Sequence, residues 1–450
     1  MTLPTEHAAI IVAGLGYGDE SKGATVDALA AHIPDTTAVV RWSGGAQAAH
    51  NVVHGPRHHT FRQFGSASFL GVQTFLMAPM LFDPLMLLTE SGQLEGLGVA
   101  NALGLVTVDE RCLVTTPIHR ALNRARELAR GTGRHGSCGL GIGETAAYDL
   151  ACKSRAREGD TVGNFVAPNS VAPGARALTA FDLRFRAHLR RGLDEFAAYA
   201  APLLAQVDDP DGLLDFGSID QMASDLHDIS AAITQSPCVR GLGAAMDAGT
   251  VIFEGSQGVL LDQDYGFHPH TTWSTTSPRD LRRKLAADGR NPYVLGLTRS
   301  YATRHGAGPM PTENAAVQVP EPHNGTGIFQ GGWRQGHLDL AALRYAVLAS
   351  GGVDGISVSH LDEMQDTIVT SWGWENDVAL YARAADPLSE RRTAIAERAR
   401  PEYADCAGQD DLLDSIRRAT GAPVVVTSNG PARAHRKFSE LATTAQEAAA

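Results

Sequence analysis

Six apolar runs punctuate the chain: AAIIVAG, TAVVRWSGG, TVIFEGSQG, PYVLGLTRSY, GISVSHLDE and APVVVTSNGP. Their apolar residues are contiguous rather than alternating, which is the pattern of strands covered on both faces in a parallel sheet. Each run ends in glycine or polar residues, and helical patterns separate several of them. That order predicts an α/β fold with a large, mostly parallel central sheet flanked by helices. From about 111 to 249 the period changes. In LRFRAHLRRGLDEFAAYAAPLLAQ the apolar positions recur three and four residues apart, the spacing of an amphipathic helix. We read 111–249 as a mostly helical insertion within a single catalytic domain spanning 1–450.

Composition narrows the classes. A chain of 450 residues with 43% hydrophobic side chains has enough apolar surface for a sizeable core. The formal charge of −12 removes the positive footprint that a nucleic-acid backbone requires, so no nucleic-acid partner is expected. Five cysteines, scattered and without a CxxC pair, indicate neither a disulfide framework nor a zinc site and suit a reducing cytoplasm. The opening MTLPTEHAAIIVAG lacks a basic segment and a long apolar stretch, so no signal peptide is expected. The most apolar window, SFLGVQTFLMAPMLFDPLMLL, is broken by Gln73, Pro79, Asp83 and Pro84 and reads as buried core, not as a membrane span.

The chemistry is predicted in the loops that follow the strands. AAIIVAG, LGYGDESKG and ATVDALAAH read as strand, glycine turn and helix, an arrangement whose free N–H groups and helix dipole favour anions, with Lys22 adding a cation. An ordinary turn and a dinucleotide fingerprint on Gly14, Gly16 and Gly18 compete with that reading. The fingerprint lacks its acidic residue at the end of the next strand, which weakens an oxidoreductase. A Walker loop fails as well, because Gly23 follows Lys22. Asp19 and Glu20 place negative charge inside this loop, and the usual gain from such charge is a magnesium ion or a proton to remove. His50 after RWSGG is open to a structural or a catalytic role. Gln257 stands between two glycines, where an amide can reach a ligand. TRHGAGPMPTE reads as a rigid turn or a plain connector, and Asp362 as a purine-edge acceptor or a solvated loop residue.

Taken in order, these segments resemble the adenylosuccinate synthetase family, whose members join aspartate to IMP with GTP. GDESKGA is similar to the family's GDEGKGK loop, RWSGGAQAAH to RxxGGxNAGH, and FEGSQGVLLDQDYGFHPHTTWS to FEGAQGxLLDxDxGTYPxVTSS. TRHGAGPMPTE resembles TRVGxGPFPTE, GHLDLAALRYA resembles GWLDxVAxRxA, SHLD resembles TKLD, and SNGP resembles STGP. The match runs over nearly the whole chain. It implies a P-loop-like nucleotide-binding architecture and a Mg²⁺-dependent C–N ligase that phosphorylates a purine 6-oxygen with GTP.

By that resemblance Asp19, His50 and Gln257 are catalytic, and Asp19 with the Ala49 carbonyl holds Mg²⁺. Gly18, Glu20, Lys22 and Gly23 face GTP phosphates, and His360, Asp362, Ser428, Gly430 and Pro431 surround the guanine. Gln47, Ser137, Cys138, Leu261, Thr272 and His305 line the monophosphate pocket, with Lys153 and Arg155 reaching it from a neighbouring subunit of a homodimer. Arg334 is the one arginine in GTGIFQGGWRQG, where the family has the aspartate-clamping GATTGRRRR. Gln47, Cys138 and His360 also replace the family's Asn, Thr and Lys. The same chemistry on dGMP, on a modified nucleotide or with another amino acid is the alternative, and a nucleotide-binding protein without turnover is a third reading.

Overall fold

The first apolar run becomes the centre of a ten-stranded sheet in the computed structural model, which describes residues 9–163, 165–387 and 391–439. In chain order the strands are β1 (Ala9–Gly14), β2 (Thr36–Arg41), β3 (Gln73–Leu76), β4 (Val106–Asp109) and β5 (Thr234–Ser236). They continue with β6 (Thr250–Gly258), β7 (Pro292–Arg299), β8 (Gly355–Ser359), β9 (Val424–Ser428) and β10 (Arg436–Phe438). Their order across the sheet is β5-β4-β3-β2-β6-β1-β7-β8-β9-β10. Every pairing is parallel except that of β9 with β10. The fold is thus the mostly parallel α/β sheet expected, with each of the six apolar runs supplying a strand.

Burial explains why these runs do not alternate. Ile10 lies opposite Ile252 of β6 and Tyr293 of β7, and every residue of β1 is buried. Ile10 and Val12 pack into one cluster with Val26, Leu29 and Leu295, whereas Ala9 and Ile11 join Val40, Phe253 and Val294 on the other face. Successive side chains enter two different cores, so both parities are apolar. Each such isoleucine or valine contributes about 1.5–3 kcal/mol through burial.

The stretch 111–249 contributes helices Pro117–Ala129, Ile142–Ser154, Arg186–Leu204, Ile219–Ala232 and Cys238–Ala248, together with edge strand β5. Leu122, Tyr148, Leu193, Phe196 and Leu226 form its core, which also takes Leu76, Phe82 and Leu87 from the apolar window after residue 68. Among the described residues no helix is long and apolar enough to cross a membrane.

A second, four-stranded sheet was not anticipated. It is built from Tyr301–His305, Trp333–Asp339, Thr367–Ser371 and Glu402–Asp405, in that order. The first residues of TRHGAGPMPTE are therefore strand and only the remainder is turn. His305 pairs directly with Trp333 across that ladder.

Candidate active site

Because the strands are parallel, the loops after β1, β2, β6, β7, β8 and β9 open at one edge of the sheet, the edge at which α/β proteins bind ligands. The loop after β1 leads into helix Lys22–His32, whose first nine residues, Lys22–Ala30, are buried. Its two carboxylates part company. Glu20 is buried and turns back into its own loop, where Oε1 accepts the Gly18 N–H at 2.7 Å and Oε2 lies 3.2 Å from Lys22 Nζ. Lys22 Nζ also donates to the Gly18 carbonyl at 2.6 Å. A Cβ at Gly14 or Gly16 would meet the Glu20 carboxylate, which would have to shift. Glu20, expected among the GTP-binding residues, has its carboxylate turned into its own loop.

Asp19 points the other way. Its side chain is 26% exposed and its Oδ2 is 3.8 Å from His305 Nε2, while its backbone carbonyl accepts a bond from Arg299 Nε. Arg299 also pairs with Glu321, which accepts from the Tyr301 hydroxyl at 2.6 Å. Asn324 donates to Glu321 at 3.1 Å and meets His305 Nε2 at 3.3 Å, closing a ring of polar contacts around Asp19. Gln257 adopts φ 57°. A left-handed conformation is uncommon for a non-glycine residue and is characteristic of functional loops. Its side-chain oxygen lies beside Gly18, so Gln257 and the glycine loop share one wall.

His50 is buried at the start of hairpin His50–His54 and Arg57–Phe61, with Nδ1 2.5 Å from Glu254 Oε1. Glu254 is fully buried and also accepts from Ser66 Oγ at 2.5 Å and Ser66 N at 3.0 Å. Burial alone would raise the Glu254 carboxyl, but Arg41, His50 and Ser66 outweigh it and hold it at about 2. Burial lowers His50 to about 4, with Arg41 and Lys22 adding to the effect and Glu254 opposing it. Nδ1 faces Glu254, and this contact fixes the orientation of the ring. Glu254 was within a quoted motif, yet its part in orienting His50 was missed, because the two are 204 positions apart in the chain.

The loops after β8 and β9 also converge. Gln409 Nε2 bridges them, donating to the Leu361 carbonyl at 3.1 Å and to Asn429 Oδ1 at 3.0 Å. Asp362 is exposed beside that bridge, in the turn Leu361–Glu363. Ser428 is buried with Oγ on the Gly430 carbonyl at 2.8 Å, and the Pro431 carbonyl accepts from Arg436 at 3.2 Å. His360 sits at φ 58° with Nδ1 3.1 Å from Ser359 Oγ, and burial, then Arg299, lowers it to about 3. It carries no charge there, unlike a lysine.

Of the residues expected at the monophosphate, Gln47 stands out: neither atom of its amide has a protein partner, although both are buried. Ser137 Oγ accepts from Asn123 at 2.8 Å, and burial pushes the neighbouring Cys138 thiol up. Leu261 and Thr272 are joined through a backbone bond of 2.8 Å. Lys153 and Arg155 lie apart, at the end of helix Ile142–Ser154, where Lys153 is exposed and bonded to Asp149 at 2.6 Å. Arg334 donates to the Gly306 and Gly308 carbonyls at 3.0 and 2.8 Å and to Glu313 at 2.5 Å.

The family model described as adenylosuccinate synthetase matches residues 11–436. The chain belongs to the adenylosuccinate synthetase family. It is 29% identical to the adenylosuccinate synthetase of Neisseria meningitidis serogroup A, over 94% of this chain and 96% of that one. It is likewise 29% identical to the adenylosuccinate synthetase of an Anaeromyxobacter species, over 91% and 89%. The fully ligated adenylosuccinate synthetase of Plasmodium falciparum has the same fold, with TM-score 0.74 at 17% identity over 96% of this chain and all of that one. A cyanophage S-2L succinoaminodeoxyadenylate synthetase bound to dGMP and dATP matches with TM-score 0.58, 17% identity and 96% and 95% coverage. The protein is accordingly a ligase of adenylosuccinate synthetase type, from a family of GTP-dependent enzymes of purine biosynthesis that form a C–N bond. Family membership also sets aside the oxidoreductase reading of the first glycine cluster.

Proposed function

We propose that this enzyme uses GTP to activate the 6-oxo group of a purine nucleotide of the IMP type and replaces that oxygen by the amine of an amino acid, aspartate being the family's. Asp19 accepts the N1 proton, and Gln257 steadies the 6-oxygen as charge builds on it. His50, held by Glu254, and Lys22 meet the phosphates, so that positioning and electrostatics carry the transfer. Asp362 accepts N–H groups from guanine. The amine then attacks C6, and phosphate departs with the C–O electron pair.

The residues present suit Mg²⁺. The Asp19 carboxylate is partly exposed and Ala49 stands at the surface, and a magnesium site of this kind takes one carboxylate, a carbonyl and substrate phosphate oxygens. Among the described residues no cluster of three or more His, Cys, Asp or Glu could cage a metal, in keeping with an ion held largely by substrate. When bound, the ion neutralises phosphoryl charge. Lys153 and Arg155, exposed at a helix end, suit contact with a second subunit, and we read the enzyme as a cytoplasmic homodimer.

The observation that carries this reading is the grouping of an outward Asp19, a left-handed Gln257 and a Glu254-bound His50 around one glycine loop. The test is phosphate release from GTP with IMP, dGMP or GMP, each with and without aspartate. Release that depends on one nucleotide supports it, and no release together with no nucleotide-dependent isotope exchange at the β,γ-linkage of GTP, for all three nucleotides, rejects it.

A further inference from the structure

The loop that should receive the amine is built unlike a dicarboxylate clamp. Clamping two carboxylates takes guanidinium forks that are free to bond them. Arg334 has instead turned onto two carbonyls and Glu313. Arg304 likewise donates to the carbonyls of Ala307, Pro309 and His270. Arg299 is paired with Glu321. Arg134 bonds the Ile328 carbonyl at 2.9 Å.

Where those forks are missing there is an aromatic wall. His305 and Trp333 pack with ring centroids 4.5 Å apart, and the Arg299 guanidinium lies 5.8 Å from the Trp333 ring. His305 is also the neighbour of Asp19, so this wall adjoins the point where the purine 6-position is to react. Two of its polar atoms, Trp333 Nε1 and His305 Nδ1, are buried without partners. A buried donor left unpaired in the free protein is suited to pairing with a ligand.

We infer that the amine substrate is not a dicarboxylate but an amine with at most one carboxylate and a planar or apolar body, received on Trp333 and His305. This rests on the proposed ligase function. C6–N bond formation and C6–O cleavage proceed as above; only the amine changes.

The experiment separates the two half-reactions. Exchange of ¹⁸O between the bridging and non-bridging positions of the β,γ-linkage of GTP is followed with IMP, dGMP or GMP and no amine. Exchange that requires a nucleotide reports activation of the 6-oxygen, and its absence with all three overturns the ligase reading and this inference together. With exchange established, aspartate, glutamate, asparagine, alanine, phenylalanine and benzylamine are compared as amines. A neutral or monocarboxylate amine is expected to exceed aspartate and glutamate by at least ~10²-fold in kcat/KM. A preference for aspartate or glutamate, or no turnover of any monocarboxylate or neutral amine while exchange proceeds, overturns it. W333A is expected to raise KM for the favoured amine by a larger factor than it lowers exchange, with W333F as the milder variant if W333A does not fold. Unchanged KM in a folded Trp333 variant counts against the inference.

Discussion

Two loops of this enzyme solve opposite problems with the same residue types. Around the glycine loop, buried carboxylates hold their neighbours still: Glu20 meets Lys22, and Glu254 holds His50 with Arg41 near by. The groups left over, Asp19 and Gln257, then face outward. Beside Trp333 the carboxylate Glu313 and two carbonyls hold Arg334, leaving an aromatic surface. A charged residue in a motif thus says little until its partner is known, because a guanidinium bonded to its own turn cannot grip a substrate.

The comparison breaks most sharply at Asp19. D19N should lower the rate of nucleotide-dependent GTP cleavage by roughly 10²- to 10⁴-fold, the usual worth of a general base, while equilibrium binding of GTP persists. A fully active D19N enzyme would remove the proposed chemistry.

Next in size is E254Q, which keeps the shape of the side chain and removes its charge. His50 then loses its orienting partner, and kcat should fall about 10- to 100-fold, the scale seen when a group that orients a histidine is lost. Stability changes too. A carboxyl held at about 2 against an ordinary 4.5 contributes stability that is fully present above 4.5 and lost as the pH falls through 2. Denaturant melts of wild type and E254Q should therefore differ most near neutrality and converge in acid. A gap that widens on acidification would contradict the pairing.

Substitution at Gly23 tests the packing under the same histidine. A methyl group there would lie 2.6 Å from His50 Cβ, so G23A should displace the ring and cost about 1–3 kcal/mol, readable as a lower thermal midpoint with reduced activity. The smallest effect belongs to the other loop. R334M removes two bonds to backbone carbonyls and an ion pair with the exposed Glu313, and should leave nucleotide-dependent ¹⁸O exchange intact. Loss of exchange in R334M would give Arg334 a part in phosphoryl transfer.

Most of the sheet could be read from the chain because strands buried on both faces leave unbroken apolar runs, as β1, β6 and β7 do. Edge strand β5 could not, being only Thr-Gln-Ser, polar and held by one neighbour. The second sheet escaped for a related reason: Trp333–Asp339 reads WRQGHLD, with no periodic signal. In the site, the motif positions of Asp19, His50 and Gln257 were plain, but the directions of Glu20 and Arg334 were not. Direction depends on backbone turns and on partners such as Glu254, Glu313 and Gln409 that lie elsewhere in the chain. The loss of the arginine run around Arg334 was visible as a departure from a pattern; the stacking of Trp333 on His305 depends on strand register, which the text of the sequence does not carry.

The inward turn of Glu20 has a consequence for how nucleotide enters. The cradle is never empty of negative charge: a tethered anion already occupies the Gly18 N–H and the Lys22 ammonium, so an arriving phosphate competes with a rival present at high effective concentration. The resting loop is kept in shape by its own counter-ion, and on the proposed function association with GTP would exchange one anion for another.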